Sequence, residues 1–368
     1  MQKKALFSVR SASFLAEAGC LCALMALLLV FPKESAAGVA QGLRLCYTSL
    51  IGSLLPFLVL SRLFLLRGLH CRLPPRCTFL TRKLFRLPPC CAGVVAFSMV
   101  GGYPVGASMT AQLFTSGEIT RKQGQRMLLF CVGPGPAFVV SAVGAGLCGT
   151  AKAGAVLYFA VVLGAMLSGV VTRFFFREPI QETRSQSPSA PPFAVCVSEA
   201  VRQSADAMLL ICAFVALFSA LLGVLDALSL PAAVRSGTAA LLEVTNACGV
   251  YAKKGALPLL AAIIAWGGVC THCQLAPSCA ALGLPYWRFA LGRALHAGLS
   301  FLCCRVMLCF IRLPVNVLAQ NAAFRPAAKD SGLLSFCMIM MCALLLFGSH
   351  LSIRLQKGAC FLRADVLQ

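Results

Sequence analysis

The chain has 368 residues, of which 59% are hydrophobic and only 12% charged, with a mean hydropathy of +0.86. A soluble domain carries about 25% charged residues, so a soluble globular class is excluded and an all-α polytopic membrane protein is expected. The net charge of +21 comes from 32 Lys+Arg against 11 Asp+Glu. Those cations sit in loops between apolar stretches, without interleaved aromatics. They read as topology and anionic-lipid contacts, and no nucleic-acid partner is expected.

In chain order, eight stretches are long and apolar enough to span a bilayer: 14–31, 43–66, 127–148, 154–172, 201–225, 256–283, 288–311 and 331–351. Lys3, Lys4 and Arg10 precede the first. This run reads as an uncleaved first helix, although small residues at Ser35–Ala37 would also suit signal cleavage. Two shorter apolar segments, 92–114 and 237–250, read as re-entrant hairpins, with a spanning course the other reading. The first carries Gly101, Gly102 and Pro104 at its middle. If 92–114 returns to the side it entered from, the clusters around Arg82–Arg86, Arg121–Arg126 and Arg173–Arg184 are all cytoplasmic, as the positive-inside rule requires. The polar, Pro/Ser-rich stretch 177–195 reads as a cytoplasmic linker.

The expected organisation is therefore 1–42, an N-terminal helix and loop; 43–176, a first repeat; 177–198, the linker; 199–313, a second repeat; and 314–368, a last helix and tail. Each repeat runs span, hairpin, broken span, span. One starts outside and the other inside, which makes the repeat inverted.

Two spans are interrupted in similar ways. One reads LLFCVGPGPAFVV (Leu128–Val140) and the other LLAAIIAWGGVCTHCQ (Leu259–Gln274). A helix broken inside lipid strands backbone N–H and C=O groups, which is tolerated only where protein or a water-filled cavity surrounds them. Paired interruptions in two halves point to a transporter's binding site. The candidate residues are Gly133 and Gly135 at the first break, Gly267 and Gly268 at the second, and Gly102, Tyr103 and Pro104 in the first hairpin. Helix starts exposed there would attract an anion, and Tyr103 could stack on an aromatic one. The plainer alternative for each break is a packing kink.

Glu243, in ALLEVTNACGV, is the sharpest side chain, because a carboxylate in apolar surroundings is costly unless it does work. It could carry a proton, with Thr245 and Asn246 adding hydrogen bonds; the plainer alternative is a carboxylate at the water interface. His272 and Gln274 follow the second break as further substrate contacts. Asp206 is placed to pair with Arg202 at i, i+4. Arg293 and His296 share a helix face, with Arg293 expected to snorkel to the membrane surface.

Other chemistries find no support. The 21 cysteines form no regular framework, so no disulfides are inferred. Cys270–Cys273 is a single C-x-x-C without a second ligand pair, so no metal is expected. No P-loop occurs, and neither a cofactor nor an enzymatic activity is expected.

The motifs GGYPVGASMTAQLFTSGEIT, GPGPAFVVSAVGAGL, ALLEVTNACGV, AWGGVCTHCQ and YWRFALGR, in this order, resemble the YlbJ family of sporulation integral membrane proteins. Relatives of that family share the nucleoside-recognition Gate domain. The resemblance covers roughly residues 12–312. It implies a multi-pass plasma-membrane protein of endospore formation that moves dipicolinate, a small aromatic dianion, across the outer forespore membrane. Val132, Ala265 and Cys270–Thr271 depart from the family's more usual polar residues around the breaks. The alternatives are a transporter of a nucleoside or another small anion, and a non-transporting scaffold for sporulation proteins. An oligomer is compatible with each.

Overall fold

The computed structural model describes residues 2–73, 78–79, 81–175, 191–228, 230–311 and 313, which form helices and connecting turns with no strand among them. α1 (Gln2–Val30) meets α2 (Pro32–Leu45) at a bend, the apolar runs on either side of Phe31 crossing at 96°. Pro32 opens α2, where a missing N–H costs nothing. A π-helical turn, Cys46–Leu50, joins α2 to α3 (Ile51–Leu66). The helix running through 43–66 thus begins at Pro32, without the loop expected after residue 31.

The stretch expected as one hairpin, 92–114, is two short helices, α4 (Cys91–Val100) and α5 (Tyr103–Thr115), which turn at Gly101–Gly102 and pack on each other. At about 1.5 Å per residue neither crosses an apolar layer of about 30 Å. The expected span 127–148 is not one helix. α6 (Arg121–Leu128) ends early, residues 129–135 are non-helical, and a π-helix, Ala137–Leu147, follows with Pro136 as its N-cap. Polar capping sets the start of α6: Thr120 Oγ1 accepts from Gln123 N at 3.2 Å, and Gln123 Oε1 accepts from Thr120 N at 2.8 Å.

After α7 (Ala151–Phe175), α8 (Phe193–Ala227) takes in the last six residues of the expected linker 177–198; 177–190 and the stretch expected to span at 331–351 lie outside the described residues. α9 (Ala232–Leu242) and α10 (Val244–Lys253) occupy the stretch expected as the second hairpin, 237–250, with the chain extended at Glu243 between them. α11 (Leu257–Trp266) and α12 (Gly268–Ala281) meet at Gly267, and α13 (Tyr286–Phe310) ends the described helices.

Four stretches among the described residues are long and apolar enough to cross a membrane: Ala151–Phe175, Phe193–Ala227, Leu257–Ala281 and Tyr286–Phe310. Counting the bent α1–α2 pair makes five. Seven of the eight expected spans lie among the described residues; of these, 127–148 is not a single helix, because its Gly/Pro run interrupts it, and 43–66 is not among the stretches long and apolar enough to cross.

Packing groups the chain into two units. Among the described residues, the smaller comprises 2–39 and the described part of Ala220–Thr238. Within it Gly223 meets the Glu34 carbonyl so closely that an added Cβ would lie 2.4 Å from the oxygen, and Arg235 pairs with Asp226 at 3.7 Å.

The larger unit, Ala40–Ser219 with Ala239–Arg325, is centred on α7 and α13. Their backbones approach because the facing residues are small: a Cβ on Gly164 would lie 2.8 Å from Ser300 N. α11 packs on both helices and completes a core containing Val156, Leu157, Val161, Leu260, Ile263 and Ile264. Against lipid such burial gains little transfer free energy, so close packing and buried hydrogen bonds carry the stability. The outer faces keep Phe159, Leu163, Leu209, Leu217, Leu291 and Leu302 exposed, as lipid contact requires.

Two packing relations recur. The second helix of each hairpin packs on the pre-break helix that follows it, α5 on α6 and α10 on α11. It also packs on the post-break segment of the opposite half, α5 on α12 and α10 on the π-helix.

Candidate functional site

The two breaks differ in backbone but meet in one place. At the second, Gly267 and Gly268 have φ of +86° and +78°, a region an L side chain adopts only under strain. They end α11 and leave its last carbonyls needing donors. Each finds one. Ile263 O accepts from Gly267 N at 3.0 Å, Ile264 O from Tyr103 Oη at 2.5 Å, Ala265 O from Arg293 Nη2, and Trp266 O from His272 Nε2 at 3.1 Å and Arg293 Nε at 3.5 Å. At the first break Val132 O accepts from Arg293 Nη1. One guanidinium thus ties the carbonyls of both breaks.

Arg293 is entirely buried, which corrects the expectation that it snorkels to the surface. Its Nη1 also reaches His296 Nδ1 at 3.1 Å, and His296 Nε2 reaches Val161 O at 2.9 Å. A carbonyl can only accept, so Nε2 of His296 holds the proton and Nδ1 accepts. Nothing in the sequence reading marked Arg293 as part of the site. The available signal was a polar stripe on α13: Gly292, Arg293, His296 and Ser300 recur at helical spacing inside an apolar span, and all four are buried.

Each hairpin turn presses on the break of its own half. A Cβ on Gly135 would lie 2.8 Å from Val100 O and 3.4 Å from Gly102 N. A Cβ on Gly268 would lie 2.9 Å from Leu242 O and 3.0 Å from Glu243 N. Farther along α5, a Cβ on Gly106 would sit 1.8 Å from Cys131 O, so the hairpin seats against the first break only with glycine there.

Glu243 is 2% exposed and is the N-cap of α10. Its oxygens accept from Thr245 N at 2.9 Å, Asn246 N at 2.7 Å and Asn246 Nδ2 at 3.0 Å. The carboxylate is thus satisfied within its own turn, and Asn246 Oδ1 in turn accepts from Gln41 Nε2 at 3.2 Å. His272 is likewise engaged at both ring nitrogens, donating to Trp266 O and meeting Tyr286 Oη at 3.0 Å, with its ring among Trp266, Tyr286 and Phe289.

A cavity of about 50 Å³ lies where hairpins and breaks converge. Among the expected residues, Gly102, Tyr103, Pro104, Gly135, Glu243, Thr245 and Gln274 line it; Gly133, Asn246, Gly267, Gly268 and His272 do not. Four helix starts reach its wall: α5 through Gly102–Pro104, the π-helix through Gly135 and Phe138, α10 through Glu243–Thr245, and α12 through Cys270 and Thr271. Helix starts carry partial positive charge, and only that of α10 is met by a carboxylate in the wall. The remainder is largely apolar, from Leu50, Leu54, Ile211 and Val215. Among the described residues no three His, Cys, Asp or Glu gather as a metal site.

Fold and site together define an all-α, multi-pass membrane protein whose helices break around a cavity shared by two halves. The motif resemblance is borne out by a homologue: the chain is similar to the sporulation integral membrane protein YlbJ of Bacillus subtilis (strain 168), with 28% identity over 215 residues. That match covers 53% of this chain and 53% of the relative, so the chain spans about half the relative's length. No family model and no solved structure matches the chain.

Proposed function

We propose that this protein is an integral membrane transporter acting in endospore formation. It binds a small aromatic dianion, dipicolinate, and moves it chemically unchanged across the outer forespore membrane by alternating access. The two halves are read as an inverted repeat, with the α4–α5 hairpin and the α9–α10 pair as gates. The observation that carries this reading is the convergence of four helix starts, drawn from both halves, on one cavity. Three of them lack a carboxylate in the wall, which suits an anion; the apolar wall and Tyr103 suit an aromatic ring. The sporulation setting is supported by the similarity to YlbJ.

Ligand pockets usually enclose about 300–1,000 Å³, and this cavity holds about 50 Å³. On this reading the cavity is contracted, and transport requires the hairpins to move off the breaks. Dipicolinate content of spores tests the proposal. A deletion strain should make spores poor in dipicolinate and regain it with the wild-type gene; normal content in the deletion strain would refute it. A scaffold for sporulation proteins is the second reading, favoured by the engagement of Glu243 and His272 in protein hydrogen bonds. It predicts normal dipicolinate in cells carrying a folded, inserted chain whose breaks are blocked.

A further inference from the structure

We infer that Arg293 is the charge that selects the transported anion, held in reserve against the Tyr103 ring. This rests on the transporter reading and names the residue that would recognise a carboxylate.

The first observation is electrostatic. A guanidinium is always charged, and taking it out of water is costly unless a counter-charge or many acceptors compensate. Arg293 is wholly buried, and its partners are the carbonyls of Val132, Ala265 and Trp266 and a neutral imidazole nitrogen of His296. Among the described residues no carboxylate pairs with it. Carbonyl dipoles offset part of the cost but leave a full positive charge unneutralised inside the membrane domain. An arginine needed only to cap helix ends would do so with less electrostatic cost if a nearby Asp or Glu paired with it. Glu243, the carboxylate in the cavity wall, is held instead by the first turn of α10.

The second observation is positional. Tyr103 lines the cavity, and Arg293, which does not line it, holds its guanidinium carbon over the Tyr103 ring, 5.9 Å from the ring centroid. A single hydrogen bond to Ile264 O fixes its hydroxyl. The stacking supplies modest cation–π stabilisation while the site is contracted. When the α4–α5 hairpin withdraws, Tyr103 leaves with it, since it is the first residue of α5. The guanidinium then faces the cavity. It can release the two break carbonyls and take a carboxylate through its planar pair of N–H groups. Anion arrival and release of both breaks thereby become one event, linking occupancy to the gate.

The test uses the purified full-length protein in lipid and phenylglyoxal, an arginine-specific reagent, with modification at Arg293 read by peptide mass spectrometry. In the wild type Arg293 should react slowly. Tyr103→Ala should speed its modification by about tenfold or more, and dipicolinate should protect it in that variant while the neutral pyridine-2,6-dicarboxamide does not. In vesicle uptake, Arg293→Gln should raise the KM for dipicolinate by about ten- to a hundredfold, the worth of a charge-assisted hydrogen bond, and Arg293→Lys should recover part of that loss. If Arg293→Gln fails to fold, the modification and protection experiment stands alone. An unchanged rate in a folded Tyr103→Ala protein, equal protection by the dicarboxamide, or dipicolinate transport without any protection by an anion would overturn the inference. Protection by other small carboxylates without dipicolinate transport would keep Arg293 as the anion selector and sink the dipicolinate reading instead.

Discussion

The two breaks solve one problem in different ways. The first spreads it over residues 129–135, where proline and glycine keep the chain non-helical until Pro136. The second concentrates it in two consecutive left-handed glycines between helices that are otherwise intact. In the first half the hairpin turn is glycine against glycine, Gly102 on Gly135; in the second it is a capped turn, Leu242–Glu243, on Gly268. The comparison teaches that the shared requirement is close backbone approach of hairpin to break, with the local chemistry free to vary. It also locates the strain: the second break depends on φ values that the first does not need.

Substitutions that close the hairpin-to-break contact sharpen this contrast. The largest effect belongs to Gly106→Leu. Its Cβ would fall 1.8 Å from Cys131 O, inside any permitted contact, so the hairpin must lift from the first break at a cost of about 3 kcal/mol or more. The yield of folded protein in detergent and its melting temperature should both drop sharply. Gly268→Ala comes next, combining positive φ with a Cβ 2.9 Å from Leu242 O, and should destabilise by about 2–3 kcal/mol. Gly135→Ala meets Val100 O at 2.8 Å without that φ penalty, and should cost about 1–2 kcal/mol. Thermal denaturation of the pair decides the point: if Gly135→Ala proves worse than Gly268→Ala, backbone strain is not what separates the breaks.

Glu243 offers a gentler probe. Replacing this N-cap with Ala should cost about 1–2 kcal/mol, and with Gln clearly less, because one acceptor oxygen remains for Thr245 N or Asn246 N. Transport that survives Glu243→Gln would identify capping, rather than proton carriage, as the residue's contribution. The smallest effect belongs to Gly298→Ala on α13, where an added Cβ meets nothing within 4 Å. It should be neutral or stabilise by up to about 1 kcal/mol.

Much of this architecture was legible in the chain. Both breaks and the first hairpin turn show as Gly/Pro clusters inside apolar runs, and Glu243 stands out as a carboxylate in such a run. The Arg202–Asp206 pair expected from helical spacing is present at 3.4 Å. What escaped the sequence reading was the depth and direction of polar groups. Hydropathy counts residues and is blind to which face of α13 turns inward, so Arg293 read as a surface cation. The start of α6 was written in Thr120 and Gln123, a capping box obscured by the apolar residues that follow it. The engagement of His272 with Trp266 O depends on a fold-back across the Gly267–Gly268 break, which residue spacing alone does not reveal.

The most direct test is uptake of labelled dipicolinate by vesicles containing the purified protein, with Gly268→Ala at equal insertion as the control. The account predicts saturable uptake by the wild type and strongly reduced uptake by the variant. Folded wild-type protein that admits no more dipicolinate than empty vesicles would contradict it.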